Sequence, residues 1–128
     1  MTTSPDDPGR SAAARLHEER DDVTAGLLRM EADMRAIVAA SAGSNADDEH
    51  DPEGQTIAYE RSQLAALTER ARAHLAEVDA ALTRVAAGTY GTCTVCGEPI
   101  DPARLEARPT ATECVEHAPR RRLSADGR

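Results

Sequence analysis

Ser41-Ala42-Gly43-Ser44-Asn45-Ala46-Asp47-Asp48-Glu49-His50-Asp51-Pro52-Glu53-Gly54 stops one apolar helical pattern and lets another begin. Its first five residues are turn formers. Asp51 is placed to cap a following helix, Pro52 suits a first helical turn, and Glu53 sits favourably near the positive end of the helix dipole. On the N-terminal side, Leu16, Val23, Leu27, Met30, Met34 and Ile37 follow spacings of seven, four, three, four and three. That is the seam of a helix packed along one partner. Ser11 could cap this helix, and Arg20 interrupts its seam. On the C-terminal side, Ile57, Leu64, Leu67, Ala71, Leu75, Val78, Leu82 and Val85 form a second stripe, and Gly88 ends it as a C-terminal glycine commonly does. The expectation is a mainly α fold: an antiparallel helical hairpin, or coiled coil, of two helices of about 30 residues, roughly 45–50 Å long at 1.5 Å per residue. These leucines read as core, and His74 beside Leu75 reads as a packed or flanking residue.

Composition agrees with a narrow seam. The chain has 128 residues, no Phe or Trp and two Tyr, and alanine supplies much of its 40% hydrophobic fraction. Alanine lets helices approach closely but buries little area. Every basic residue is arginine, and the formal charge is −8. Such a balance argues against general binding to a nucleic-acid backbone, which needs clustered cations. The acidity is local: Ser41 to Glu60 holds six acidic and no basic residues, whereas Gly88 to Arg128 holds six of each. A local acidic patch suits a basic pocket or a cation. No stretch is apolar and long enough to span a membrane, and the N-terminus lacks the basic start and apolar core of a secretion signal. A cytoplasmic protein without membrane contact is expected.

Chemistry concentrates near the C-terminus. Cys93-Thr94-Val95-Cys96 is followed, after seventeen residues, by Cys114-Val115-Glu116-His117. Two ligand pairs at this spacing match a structural zinc site, because each turn brings two donors to one side of a tetrahedral ion. Gly91 and Gly97 flank the first pair, where a tight knuckle needs backbone freedom. His117 stands where a four-cysteine site would place its last thiolate. Imidazole ligates zinc well, so Cys93, Cys96, Cys114 and His117 form a sound set. The other reading is a surface histidine beside a metal-free knuckle. Four protein ligands leave no position for water, so one structural zinc is expected and no catalysis. A thioredoxin-like redox role for Cys93 and Cys96 would need a βαβ context that the chain lacks.

The turn 43–54 puts carboxylates at the far end of the hairpin. Crowded like charges repel unless a cation or a basic cavity meets them. The plainer reading is a solvated polar turn. Neither the ligand spacing nor the glycine position matches an EF-hand loop. His50 beside a carboxylate has no nucleophile or pocket to make it catalytic.

Gly88-Thr89-Tyr90-Gly91-Thr92-Cys93-Thr94-Val95-Cys96-Gly97-Glu98-Pro99-Ile100 and Pro102-Ala103-Arg104-Leu105-Glu106-Ala107-Arg108-Pro109-Thr110-Ala111-Thr112-Glu113-Cys114 resemble the zinc finger of the DksA/TraR family. The resemblance implies a non-enzymatic transcription regulator that binds RNA polymerase without a DNA-reading element. It implies entry of the coiled coil into the secondary channel, tip aspartates near the active-site region, and altered stability of promoter complexes, often together with ppGpp. The family tip motif D-x-x-D-x-A falls on Asp48, Asp51 and Glu53, with glutamate in place of alanine. His117 is a second departure, replacing the last cysteine.

The expected organisation is therefore a disordered arm over 1–10, the hairpin over 11–87 with its acidic tip loop 43–54, a zinc-finger module over 88–119, and a basic flexible tail over 120–128. A short helix is expected after Cys114, before Arg120-Arg121-Arg122. The rival reading is a zinc-stabilised helical-hairpin adaptor that binds another protein and leaves polymerase alone. A DNA-binding zinc finger is disfavoured by the charge balance from Gly88 onward.

Overall fold

The computed structural model describes residues 8–43 and 52–118. Three helices occur in order: α1 (Pro8–Gly43), α2 (Pro52–Ala87) and α3 (Pro102–Ala107). Among the described residues there is no β-strand, only an antiparallel bridge between Thr92 and Pro99. No described helix is long and apolar enough to cross a membrane.

Both long helices exceed the expected length, at 36 residues each. α1 starts at Pro8, so Ser11 lies inside the helix rather than capping it. Proline lacks the N–H that the first turn leaves unpaired, which makes it a good first residue. The expected arm is corrected accordingly: 8–10 are helical, and 1–7 lie outside the described residues. At the turn, the helices claim Gly43 and residues 52–54 from the expected loop. Residues 44–51, with Asp48, Asp51 and the cap assigned to Asp51, lie outside the described residues, as does the basic tail.

The chain divides into two compact units, Met1–Glu19 with Glu77–Arg128, and Arg20–Ala76. In the first, early residues of α1 meet late residues of α2. Ala12, Leu16, Val78 and Ala81 form a buried cluster, with Leu82, Val85 and Tyr90 packed against it. The two alanines allow close backbone approach, while Leu16 and Val78 supply the buried volume. Burying each of these larger side chains is worth about 1.5–3 kcal/mol. α2 ends in a Schellman arrangement: Thr89 N–H donates to the Arg84 carbonyl at 2.9 Å and Gly88 N–H to that of Val85 at 3.2 Å. Gly88 adopts φ +80°, which a side chain would resist.

In the second unit the α1 and α2 segments run side by side in opposite directions. Arg72 meets Glu31 at 3.6 Å, an exposed pair worth at most about 1 kcal/mol. Val23, Met30, Met34, Ile37, Ile57, Leu64, Ala71 and Leu75 are half-buried, as their stripes predict. Leu67 departs from its stripe and is 44% exposed. The neighbouring Thr68 is buried instead, and its hydroxyl donates to the Leu64 carbonyl at 2.8 Å. A threonine satisfied by its own helix can occupy an inward position without a partner from α1.

Leu16→Ala should lower the unfolding free energy by about 2–5 kcal/mol, as large-to-small changes in a packed cluster do. Leu28→Ala, at a side chain 62% exposed, should stay within about 0.5 kcal/mol of the parent. Urea melts followed by circular dichroism would separate them; equal midpoints would show that the cluster does not hold the unit together.

Candidate metal centre

The first knuckle is shaped by its backbone. Cys93 N–H donates to the Glu98 carbonyl at 2.8 Å, Gly97 N–H to the Cys93 carbonyl at 2.9 Å, and Ile100 N–H to Gly91 at 2.7 Å. These bonds fold 91–100 into a tight loop in which Gly91 and Gly97 hold φ +85° and +78°. A Cβ on Gly91 would touch Leu105 at 3.4 Å, an ordinary contact, so the positive φ is the constraint that keeps glycine there. The backbone freedom expected at both glycines is thus used. Beneath the knuckle, Cys93, Ile100, Leu105 and Ala111 form a second apolar cluster, with Tyr90 and Cys114 against it.

The second pair comes from a segment with no strand to hold it. Its carbonyls are gripped instead by side chains. Tyr90 hydroxyl donates to Pro109 at 2.8 Å, Arg104 Nε to Glu113 at 2.9 Å, and an Arg84 guanidinium nitrogen to Thr110 at 3.4 Å. Thr94 N–H donates to the Thr112 carbonyl at 2.9 Å and ties the two halves directly. Burial pushes the Tyr90 phenol up, against the opposing pull of Arg15 and Arg84, so it remains a donor at neutral pH. From sequence, Tyr90 and Arg104 stood out only within the stretches that resemble the family's zinc finger, without a role, and Arg84 did not stand out at all. α3 was missed as well, although its start has a readable signature: Asp101 Oδ1 accepts from Ala103 N–H at 3.0 Å, and Pro102 fills the first turn. Among the described residues the short helix thus lies before Cys114, and none follows it up to residue 118. Residues 115–117 form a turn closed by His117 N–H on the Cys114 carbonyl at 2.9 Å.

The four candidate donors converge. The donor atoms of Cys93, Cys96, Cys114 and His117 all lie within 4.8 Å of one another. Cys96 and Cys114 sulfurs are 3.9 Å apart, and His117 Nδ1 is 3.9 Å from Cys93 and 3.1 Å from Cys114. A tetrahedral zinc with ordinary bond lengths requires sulfur–sulfur edges of ~3.8 Å and sulfur–nitrogen edges of ~3.6 Å. These three edges lie within about 0.5 Å of that frame, and no other pair of donors is more than 4.8 Å apart. The thiols are free, and 3.9 Å between Cys96 and Cys114 is nearly twice a disulfide bond of about 2.0 Å. Nδ1 is the histidine nitrogen turned toward the sulfurs, which leaves Nε2 away from them.

The knuckle also tunes its thiols. Burial pushes Cys93 up, but N–H groups of Cys114, Cys96 and Val95 and the Cys96 thiol favour the thiolate and bring it down to about 6. Cys96 receives the Glu98 N–H, which pulls it down, yet burial and the neighbouring Cys93 and Cys114 thiols raise it overall. Such a site is primed at one sulfur and completed by the ion.

The profile described as "Prokaryotic dksA/traR C4-type zinc finger" matches residues 88–116. The RNA polymerase-binding transcription factor DksA of Caulobacter vibrioides is 37% identical over 115 residues, covering 87% of this chain and 70% of that protein. The uncharacterized protein YteA of Bacillus subtilis is 39% identical over 82 residues, covering 64% of this chain and 34% of its own length. The structure of transcription factor DksA2 from Pseudomonas aeruginosa superposes with a TM-score of 0.75 at 30% identity, over 94% of this chain and 87% of that one. The Caulobacter and Pseudomonas relatives are named as transcription factors rather than enzymes. With the finger profile, the two long helices and these relatives in agreement, the chain belongs to the DksA/TraR zinc-finger family.

Proposed function

We propose that this protein regulates transcription by binding RNA polymerase, entering its secondary channel with the turn between α1 and α2, and altering the stability of promoter complexes. The observation that carries this reading is the 37% identity over 115 residues to a factor named for binding RNA polymerase. Charge supports it: six acidic and no basic residues between Ser41 and Glu60 suit a basic, magnesium-containing cavity. Asp48 and Asp51 are the residues proposed to act there, in the cytoplasm, with zinc holding the finger behind them.

The proposed zinc ligands are Cys93, Cys96, Cys114 and His117, the last through Nδ1. Zinc supplies a crosslink between two segments that are otherwise joined by few bonds, and no step of a reaction. His117→Ala should weaken zinc binding roughly 100-fold or more, since loss of a partner one bond removed from a metal already costs about 10–100-fold. His117→Cys should retain one zinc per chain. A chelator competition in which His117→Ala binds as tightly as the parent would remove His117 from the set. Zinc affinity should also fall with pH. Because the Cys93 thiol of the free site takes up its proton below about 6, a plot of log affinity against pH should steepen by about one proton there. An unchanged slope through that pH would mean that the Cys93 thiol of the free site does not ionise there.

The regulatory reading is tested by the lifetime of a promoter open complex formed by the host RNA polymerase, with and without zinc-loaded protein. A changed lifetime that reverts with Asp48→Asn and Asp51→Asn, at unchanged helicity and zinc content, supports it. A parallel arm with ppGpp reads whether the nucleotide deepens the effect. No change at several promoters, with no binding to core polymerase, would leave a zinc-stabilised adaptor for another protein.

A further inference from the structure

The finger buries Ile100, Leu105 and Ala111 yet leaves Val95 58% and Val115 69% exposed. Val115 is the most exposed large apolar side chain among the described residues. Each valine adjoins a candidate zinc ligand, Val95 before Cys96 and Val115 after Cys114, and those two sulfurs are 3.9 Å apart. Both thus belong to one small patch on the open side of the donor cluster, where Cys96 and His117 are exposed as well. Glu98 and Glu116 accompany them, both exposed. Among the described residues neither makes an ion pair. Residues 88–118 hold five acidic and two basic residues, a surplus of three negative charges before any thiolate is counted.

We propose that Pro119-Arg120-Arg121-Arg122-Leu123 of this same chain docks across the patch, with Leu123 on the two valines and the arginines on Glu98 and Glu116. These five residues lie outside the described part; reach, charge and chemistry select them. Arg120 is three residues from His117 and Leu123 six, which keeps them within roughly 11 and 22 Å of it even when fully extended. A segment tethered so closely meets the patch at an effective concentration in the millimolar range. Three guanidinium groups match the surplus of three negative charges, and arginine pairs with carboxylates through two parallel bonds. Leu123 is the one large apolar residue between 119 and 128. A second copy's patch is a poor occupant, because it would set the same glutamates against each other. The docking deepens the proposed zinc site without depending on it. Zinc on three thiolates and a neutral imidazole leaves a net charge of about −1, which adds to the attraction. The docked segment covers Cys96 and His117 and slows exchange of the metal; salt, or an acidic partner that takes the arginines, uncovers them.

Transfer of zinc from the full-length, zinc-loaded protein to an excess of a colorimetric chelator at low salt tests this. Replacing Arg120, Arg121 and Arg122 together by Ser should speed transfer about five- to tenfold, as two exposed ion pairs and one partly buried leucine together allow. Leu123→Ser changes no charge and should speed it about threefold, as should Val95→Ser with Val115→Ser. Combining the last two should add little, because they remove one contact from its two sides. Salt at about 0.5 M should bring the parent close to the arginine variant. A photoreactive residue replacing the exposed Thr94 should crosslink to 119–123 of the same chain, in a yield independent of protein concentration. Equal rates in the parent and every variant overturn the docking. So does a crosslink that joins two chains or misses 119–123. If the parent binds no zinc, the zinc reading falls, and the Thr94 crosslink in the metal-free chain alone decides the docking.

Discussion

Tyr90 joins the helices to the finger within one compact unit. Its ring packs against the cluster of Ala12, Leu16, Val78 and Ala81 and against that of Cys93, Ile100, Leu105 and Ala111. Its hydroxyl meanwhile holds the carbonyl of Pro109. Few residues could do all three in a chain with no Phe or Trp. An aromatic body spans two small cores, and a polar tip avoids the cost of ending in an apolar interior. The other tyrosine, Tyr59, is exposed and serves no such end.

The rest of the finger follows from how its backbone is satisfied. Residues 109–113 cross the module without a strand partner, yet Pro109, Thr110, Thr112 and Glu113 each have a carbonyl engaged. The donors come from α2, from the segment after it, from the first knuckle and from α3. Cys114 is therefore held in place by bonds that involve no thiol. Arg104 and Leu105 of α3 divide the labour: one reaches the Glu113 carbonyl, the other fills the space beneath Gly91.

Much of this was legible, for local reasons. The cysteine spacing, the positive-φ glycines and the stop at Gly88 each encode a constraint within a few residues, and each appears as read. Both helical stripes were legible because burial repeats along a helix. The failures share a different cause. Leu67 and Thr68 exchange places because rotation about the α2 axis is set by what α1 offers, not by hydrophobicity at one position. Ser11 was a plausible cap, but a helix extends upstream wherever nothing forbids it, and Pro8 makes a competent start. α3 was hidden by its six residues, too few for periodicity. The gripping role of Arg84 involves Thr110, 26 residues along the chain, which no local pattern discloses.

The donor cluster has a front and a back. Cys93 is buried against Ile100 and Leu105, Cys114 is intermediate, and Cys96 and His117 are exposed. Approach from solvent is therefore one-sided. With zinc on the four proposed ligands, a competing chelator would meet the histidine and the outer thiolate first, while the inner thiolate would keep its hold behind an apolar floor. Exchange of such a metal would be an ordered peeling, in which the outer donors govern how fast the ion leaves and the inner one governs whether a half-detached ion is recaptured. Tightness and lability are thus assigned to opposite faces of the same four residues.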